Sequence, residues 1–531
     1  MTRRWQVALL AAAPVLFALL DEVGARPGGG ESYSGGGDYS GGGDYSGGGG
    51  GGGGSSSWSS GGDSSSGGGE VAGELIYLLI RLLFEVPQIG VPLVVVGVVA
   101  FIWIKRSSGV NQAASWDSVA LLPPLPSPSI ELVQKVDPEF SQVLFEDFLF
   151  RLYGQAHRAR ADAAAMAALA PYLTDQARTA LAQRAPVGQP ALDVVIGALR
   201  VSEVLMPPST TGPDGAIQFG VRGADGKPYY VKVWVDFEAN MTTGSGDDRQ
   251  SHYVRERWRL ARMAEVKSRP PARTRDFHCP NCGAPFQSSD GQTCEHCSQV
   301  VASGRFEWTV AAVELRHIEH RPPPLGGYAV EQGTYGATIE HPALQARLAE
   351  LRKADPEFTD QAFADRLALI YREINGGWSE QDTARMRPYT SDGLQDYLRY
   401  WIEAYERQKL INRLEQMTMT SWRYVKVVRD AHYDAVTVRF WATGLDYAVR
   451  ADDGKIVGGS RSVPRAYSEY WTLVRGSGVR GAPRADKRCP NCGAELKISM
   501  AGSCEFCSVH VTAGEFDWVL SKIEQDDAYR A

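Results

Sequence analysis

The eight cysteines of this 531-residue chain fall into two sets of identical spacing: Cys279, Cys282, Cys294 and Cys297, then Cys489, Cys492, Cys504 and Cys507. Each set reads Cys-x-x-Cys, eleven residues, Cys-x-x-Cys. A two-residue gap lets one tight turn aim two thiolates at a common point. Gly283 or Gly493, after the second cysteine, supplies the backbone freedom such a turn often needs. Two turns complete a tetrahedron. Four thiolates with no open position describe a structural zinc site, because metal-assisted hydrolysis needs a vacant or water-filled ligand position. Two structural zinc ions are the implied cofactors. Iron on four sulfurs, disulfides in an oxidising compartment, and thioredoxin-like redox chemistry are the competing readings. His278 and His296 flank the first set. Arg488 and Phe506 stand in their places in the second, so both histidines read as surface residues.

No other residues assemble into a recognisable catalytic pattern. The remaining histidines, including His157, His252, His317, His320, His341, His432 and His510, share no spacing between the two halves and lie beside no nucleophile pattern. Phosphate loops, Gly-x-Ser-x-Gly elbows and His-Glu-x-x-His helices are absent from the sequence. Asp236 and Glu238 alternate along a strand, where surface charge is the default. Basic residues gather before each cysteine set, with Lys267, Arg269, Arg273 and Arg275 ahead of the first and Arg480, Arg484, Lys487 and Arg488 ahead of the second. They read first as a solvated approach to a small module, and second as a contact for anionic lipid headgroups or phosphates. The aromatics Phe306, Trp308, Phe516 and Trp518 alternate along strands and read as core rather than as a base-stacking platform. The formal net charge of -7 argues against a surface built to hold nucleic acid.

The elements that carry the cysteines occur twice. "VDPEF" at 136–140 returns as "ADPEF" at 354–358, "APYLT" at 170–174 as "RPYTS" at 387–391, and "RERWRLAR" at 255–262 as "SEYWTLVR" at 468–475. Each cysteine set follows, and each is trailed by a matched strand, "GRFEWTVAAVE" from Gly304 and "GEFDWVLSKIE" from Gly514. Order kept over this length indicates a tandem duplication. Pro322, Pro323, Pro324, Gly326 and Gly327 mark a linker between the copies. Residues 139–153 place Phe140, Val143, Leu144, Phe148, Leu149 and Leu152 on one helical face, and 361–371 repeat this with Phe363, Leu367, Ile370 and Tyr371. Helix continues to about 186 and about 415 before "YYVKVWVDFEANM" and "YDAVTVRFWATGL" alternate as strands. Helices followed by antiparallel strands predict an α+β fold in each copy, with helices packed on one face of a curved sheet.

These motifs resemble the Tim44-like domain family: an Asp-Pro-x-Phe helix start, a mid-domain Pro-Tyr, a strand Glu-x-Trp-x-Leu-x-Arg and a closing Trp-x-Leu. In the first copy the corresponding residues are Asp137, Phe140, Pro171, Tyr172, Glu256, Trp258, Leu260, Arg262 and Trp308. In the second they are Asp355, Phe358, Pro388, Tyr389, Glu469, Trp471, Leu473, Arg475, Trp518, Leu520 and Ile523. The resemblance implies two tandem cone-like domains, similar to nuclear transport factor two, each with an internal pocket. It covers roughly 130–320 and 344–526. This chain departs from the family pattern by placing cysteines in the turn of the terminal hairpin. Each zinc ribbon, at 277–300 and 487–510, therefore reads as an insertion within its own domain.

The amino end carries membrane signals. Arg3 and Arg4, an apolar run from Val7 to Leu20 and the small-residue pattern Val23-Gly24-Ala25 predict a signal peptide over 1–25, with an uncleaved anchor as the alternative. Residues 26–70 are a Gly/Ser-rich, low-complexity linker that buries too little apolar surface to fold. Within 71–106, the uncharged stretch from Pro87 to Ile104 is long enough for a transmembrane helix. Lys105 and Arg106 follow it, which places the body on the cytoplasmic side of a plasma or inner membrane. Linkers are expected over 107–129 and 321–343, around domains at 130–320 and 344–526.

The resulting expectation is a membrane-anchored, non-enzymatic scaffold that engages a protein partner or anionic lipid. The family resemblance alone suggests protein translocation or membrane-protein handling. The alternatives are a small-molecule-processing enzyme that uses a ligand in one cone pocket, and nucleic-acid binding through the ribbons.

Overall fold

A computed structural model describes residues 129–530 apart from 213, 214, 216, 245–247, 272–276, 302, 303, 321–332, 482–487, 500, 501, 513 and 527. The expected signal peptide, low-complexity linker and transmembrane segment lie outside the described residues. Among the described residues no helix is long and apolar enough to cross a membrane.

In the first half a 3-10 turn, Ile130–Lys135, leads to helices α1 (Gln142–Ala159), α2 (Ala163–Ala168) and α3 (Asp175–Ala182). Strands β1 (Asp193–Leu205), β4 (Tyr230–Thr243), β5 (Gln250–Met263) and β6 (Thr309–His320) then form an antiparallel sheet in the order β1-β4-β5-β6. A short hairpin, β2 (Ser209–Thr211) with β3 (Ile217–Phe219), decorates the β1–β4 connection. The second half runs α4 (Leu344–Ala354), α5 (Asp360–Glu380), α6 (Thr383–Met386) and α7 (Asp392–Arg407). It continues with β7 (Leu410–Arg429), β8 (Tyr433–Arg450), β9 (Ile456–Gly459), β10 (Arg465–Gly476) and β11 (Val519–Gln525). Its sheet order is β11-β10-β8-β7, with β9 on β8. Read from the first strand of each half, the two sheets run in the same sequence. Both are antiparallel sheets covered by helices, so the architecture is mixed α and β.

Local chemistry sets the helix starts. Ser141, Thr174, Thr359 and Ser391 each sit in an extended N-cap and accept from the backbone N–H three residues on. α5 stops where Gln381 turns left-handed at φ 58°. The apolar face of α1 buries Phe145, Phe148, Leu149 and Leu152 against Val231, Val233, Val235, Trp258 and Leu260 of the sheet. α5 does the same with Phe363, Leu367, Ile370 and Tyr371 against Val436, Val438, Phe440, Trp471 and Leu473. Full burial of each such side chain contributes roughly 1.5–3 kcal/mol.

Two features differ from the sequence reading. Helix was expected to about 415, but α7 ends at Arg407 and Leu410 opens the 20-residue strand β7. Lys409, left-handed at φ 55°, makes the switch. The alternating pattern of β7 is interrupted by bulges near Gln416, Thr420 and Val425, which hides its period of two. Residues 333–343, expected as linker, are held by the second sheet. Arg439 donates to the carbonyls of Gly333 and Gly336 at 2.8 and 2.9 Å, and Ile339 N–H donates to the Tyr470 hydroxyl.

The described residues belong to one compact unit. α7 of the second half packs on β1 of the first, and Val195 and Tyr253 join the second half's core. Arg347 on α4 pairs with Glu131, Lys522 on β11 with Glu146, and Val143 packs on Val428, Val474 and Val519. The two halves are thus interlocked rather than strung apart.

Candidate metal centres

Each cysteine set occupies the connection between two directly paired strands, β5 with β6 and β10 with β11. Within a set the four sulfurs lie within 4.8 Å of one another. Cys279 and Cys297 are 3.8 Å apart and Cys282 and Cys294 4.0 Å, and the second set repeats this at 3.7 and 3.9 Å. Those separations are far beyond a disulfide bond of about 2.05 Å. They match the edge, about 3.8 Å, of a tetrahedron of sulfurs placed 2.3 Å from a central zinc. The residues therefore fit a metal ion in each set, the eight thiols gathering as two groups of four. Burial repeats as well: in both sets the first and third cysteines are buried, the second exposed and the fourth intermediate.

The turns that aim the thiols follow from backbone chemistry. Gly283 and Gly493 donate to the carbonyls of Cys279 and Cys489 at 2.9 Å, in left-handed conformations at φ 78° and 74°. Ser298 and Ser508 play the same part in the second turn of each set, donating to Cys294 and Cys504 at 2.8 Å with φ 57°. The sequence reading missed the serines, although the signal was there: a serine follows the fourth cysteine in both sets. It also missed Asn281 and Asn491, whose side-chain amides donate to Cys297 and Cys507 at 3.4 and 3.5 Å. These amides, with the backbone N–H groups of Gln299 and Val509, draw the thiols down to about 7 and about 6. Burial pushes Cys279 up to about 12. His278 and His296 are exposed.

The modules are gripped at their exits. Gly304 and Gly514, left-handed at φ 74° and 77°, return hydrogen bonds to the ends of β5 and β10 through their carbonyls. A Cβ at Gly304 would meet the Ala261 carbonyl at 2.8 Å, and one at Gly514 the Val474 carbonyl at 2.9 Å. Tyr172 donates to the His278 carbonyl at 2.6 Å, docking the first module. The second docks through His510, whose ring nitrogens lie 2.9 Å from Glu515 and 3.3 Å from Asp392 at the start of α7. Burial works against charge on that ring, but the two carboxylates outweigh it and raise its pKa to about 9.

The motif residues behind the family resemblance converge at the base of each module. Arg262 donates to Asp137 at 2.7 Å and lies over the Trp308 ring at 4.7 Å. Arg475 donates to Asp355 at 2.8 Å and lies over Trp518 at 4.5 Å. Phe140 and Phe358 pack edge-on or tilted against the same indoles. Trp258 and Trp471 donate to Glu256 and Glu469 at 2.9 and 2.8 Å. Trp308 and Trp518 are 3% and 0% exposed, which removes them from any surface platform.

Around Glu256 the halves diverge. His157 lies 3.1 Å from Glu256 and Arg184 3.0 Å, all within the first half's core. Burial pushes the Glu256 carboxyl up, yet His157, Arg184 and the Trp258 N–H together hold it below its usual range. The positions equivalent to His157 and Arg160 carry Asn375 and Trp378 in the second half. The sequence reading set His157 aside because nothing repeats it. Of the described basic residues, Arg269 pairs with Glu307 at 2.9 Å and Lys267 donates to the Val136 carbonyl, while Lys267, Arg480 and Arg488 stay exposed. Arg273, Arg275, Arg484 and Lys487 lie outside the described residues.

Residues 344–483 match the family model of the Tim44-like domain. The match spans α4 through β10 and stops before Cys489. No curated protein matches the chain.

Proposed function

We propose that this chain is a membrane-anchored, non-enzymatic scaffold in which two Tim44-like domains each present a structural zinc ribbon to a protein partner or an anionic lipid surface on the cytoplasmic side. The family match at 344–483 supports a binding role in the context of protein translocation. The observation that carries the reading is the pair of closed four-thiol sites, set in the same hairpin of each half and gripped by the same Asp-Arg-Trp stack. The first half is read as a second copy of the domain because its strand order and motif contacts repeat those of the matched segment. Membrane anchoring rests on the uncharged stretch from Pro87 to Ile104. His157 and Glu256 have no exposed surface, so this acid–base pair meets no substrate as it stands.

The test places a photo-crosslinking amino acid at Phe506, 59% exposed on the second ribbon, or at His296 on the first, in the full chain in native membranes. Discrete protein or lipid adducts from these sites, absent from a control at Asp453 on the β8–β9 turn, are expected. Equal labelling from all three positions would contradict the proposal.

A further inference from the structure

Each knuckle of a cysteine set is closed by its own backbone. In the first set Cys279 N–H donates to the Ala284 carbonyl at 2.8 Å, and Cys294 N–H to the Gln299 carbonyl at 3.0 Å. Cys489 with Ala494 and Cys504 with Val509 repeat this at 2.7 and 2.8 Å. None of these bonds joins one knuckle to the other. Among the described residues, one hydrogen bond besides the sulfur–sulfur contacts crosses between the knuckles of each set. The Asn281 amide donates to Cys297 Sγ at 3.4 Å, and the Asn491 amide to Cys507 Sγ at 3.5 Å.

The crossing lies on the open side of each site. The first and third cysteines are buried, whereas the second is exposed and the fourth half-buried. Behind the first set, Ala170, Phe286 and Val301 pack with Cys279 and Cys294 and close that side. Asn281 and Asn491 stand directly before the second cysteine and are exposed with it. Water or a competing ligand therefore approaches the sulfurs from the side that the asparagine spans.

The chemistry of the amide suits that place. Four thiolates around one divalent ion keep a net negative charge, and an N–H aimed at sulfur makes a charge-assisted bond to it. Donors of this kind, one step out from the ligands, typically change metal affinity 10–100-fold. The two ribbons differ close by, where Pro285, Phe286 and Gln287 give way to Glu495, Leu496 and Lys497. The asparagine and its bond are the same in both.

We infer that Asn281 and Asn491 are positioning residues that latch the two knuckles together across the exposed side of each metal site and so slow the loss of its ion. The inference rests on the reading of the two sets as zinc ribbons.

Transfer of zinc from the full-length chain in detergent to the chelator 4-(2-pyridylazo)resorcinol, followed by absorbance, tests it. Asn281→Ala should speed release of one of the two ions by about tenfold, the lower end of that range because the amide is exposed, and leave the other ion unchanged. Asn491→Ala should do the same for the other ion. Asn281→Asp keeps the shape but faces the thiolates with a like charge, so it should speed release further. Cobalt in place of zinc gives a second readout. Loss of an N–H donor on sulfur should move the thiolate-to-cobalt charge-transfer band to lower energy, which a merely loosened turn does not require. Two bound zinc ions whose release rates and cobalt bands are unchanged by all three substitutions would overturn this inference alone. A wild type that binds no metal would overturn the ribbon reading and this inference with it.

Discussion

Arg262 and Asp137 lie 125 residues apart in the chain and meet at 2.7 Å, both almost wholly removed from water. Arg475 and Asp355 repeat the pair at 2.8 Å. Removing one member of a buried pair strands the other, which typically costs about 3–5 kcal/mol. Arg262→Met and Arg475→Met should each lower the unfolding free energy by that order, read by urea denaturation. The losses should be of the same order in the two halves because each guanidinium has an indole beneath it and an Asp in front.

Left-handed turns set the cost of changing the knuckles. At Gly283 nothing lies within 4 Å of an added Cβ, so Gly283→Ala meets only backbone strain. That strain is about 1–2 kcal/mol, and metal affinity measured against a competing chelator should fall by roughly 5–30-fold. Ser298→Gly relieves the same conformation and should raise affinity or leave it unchanged.

His510 makes the second module's docking pH-dependent. Its pKa is raised to about 9 in the folded chain against about 6.5 unfolded, through Asp392 and Glu515, with Arg387 and Thr512 on the same carboxylate of Asp392. A raised pKa contributes stability that is fully present below about 6.5 and is lost as pH rises through about 9. Hydrogen exchange over 502–516 should therefore quicken between pH 6.5 and 9. His510→Gln should flatten that response. The first module, with Val300 at the equivalent place, should show none of it.

The halves should unfold together. Glu131 with Arg347 and Glu146 with Lys522 tie the first half's leading elements to the second half. Calorimetry of the wild type should show one transition for the body, and the double variant Glu131→Gln, Glu146→Gln should split or broaden it.

Much of this was legible in the sequence because it repeats. The eight thiols, the Asp-Pro-x-Phe starts and the Glu-x-Trp-x-Leu-x-Arg strands stand at matched spacings, and the structure brings each set together. β7 was partly read as helix because its bulges shift the register and break the alternation that marks a strand. The interlock of the halves was hidden because it rests on single pairs, such as Glu146 with Lys522, that no local period announces. The meeting of Arg160 and Arg184 near Glu256 was hidden for the opposite reason to the thiols: the two arginines have no counterpart in the second half, and their proximity arises only when α1 packs on β1 and α3 on β6.

The most direct test of the account is metal content. The full chain, purified under reducing conditions, should carry two zinc ions by elemental analysis. Cys279→Ser and Cys489→Ser should each leave one, and the pair none, with the helical circular dichroism signal largely retained. Substantially fewer than two ions in the wild type, iron in place of zinc, or a content unchanged by these substitutions would contradict it.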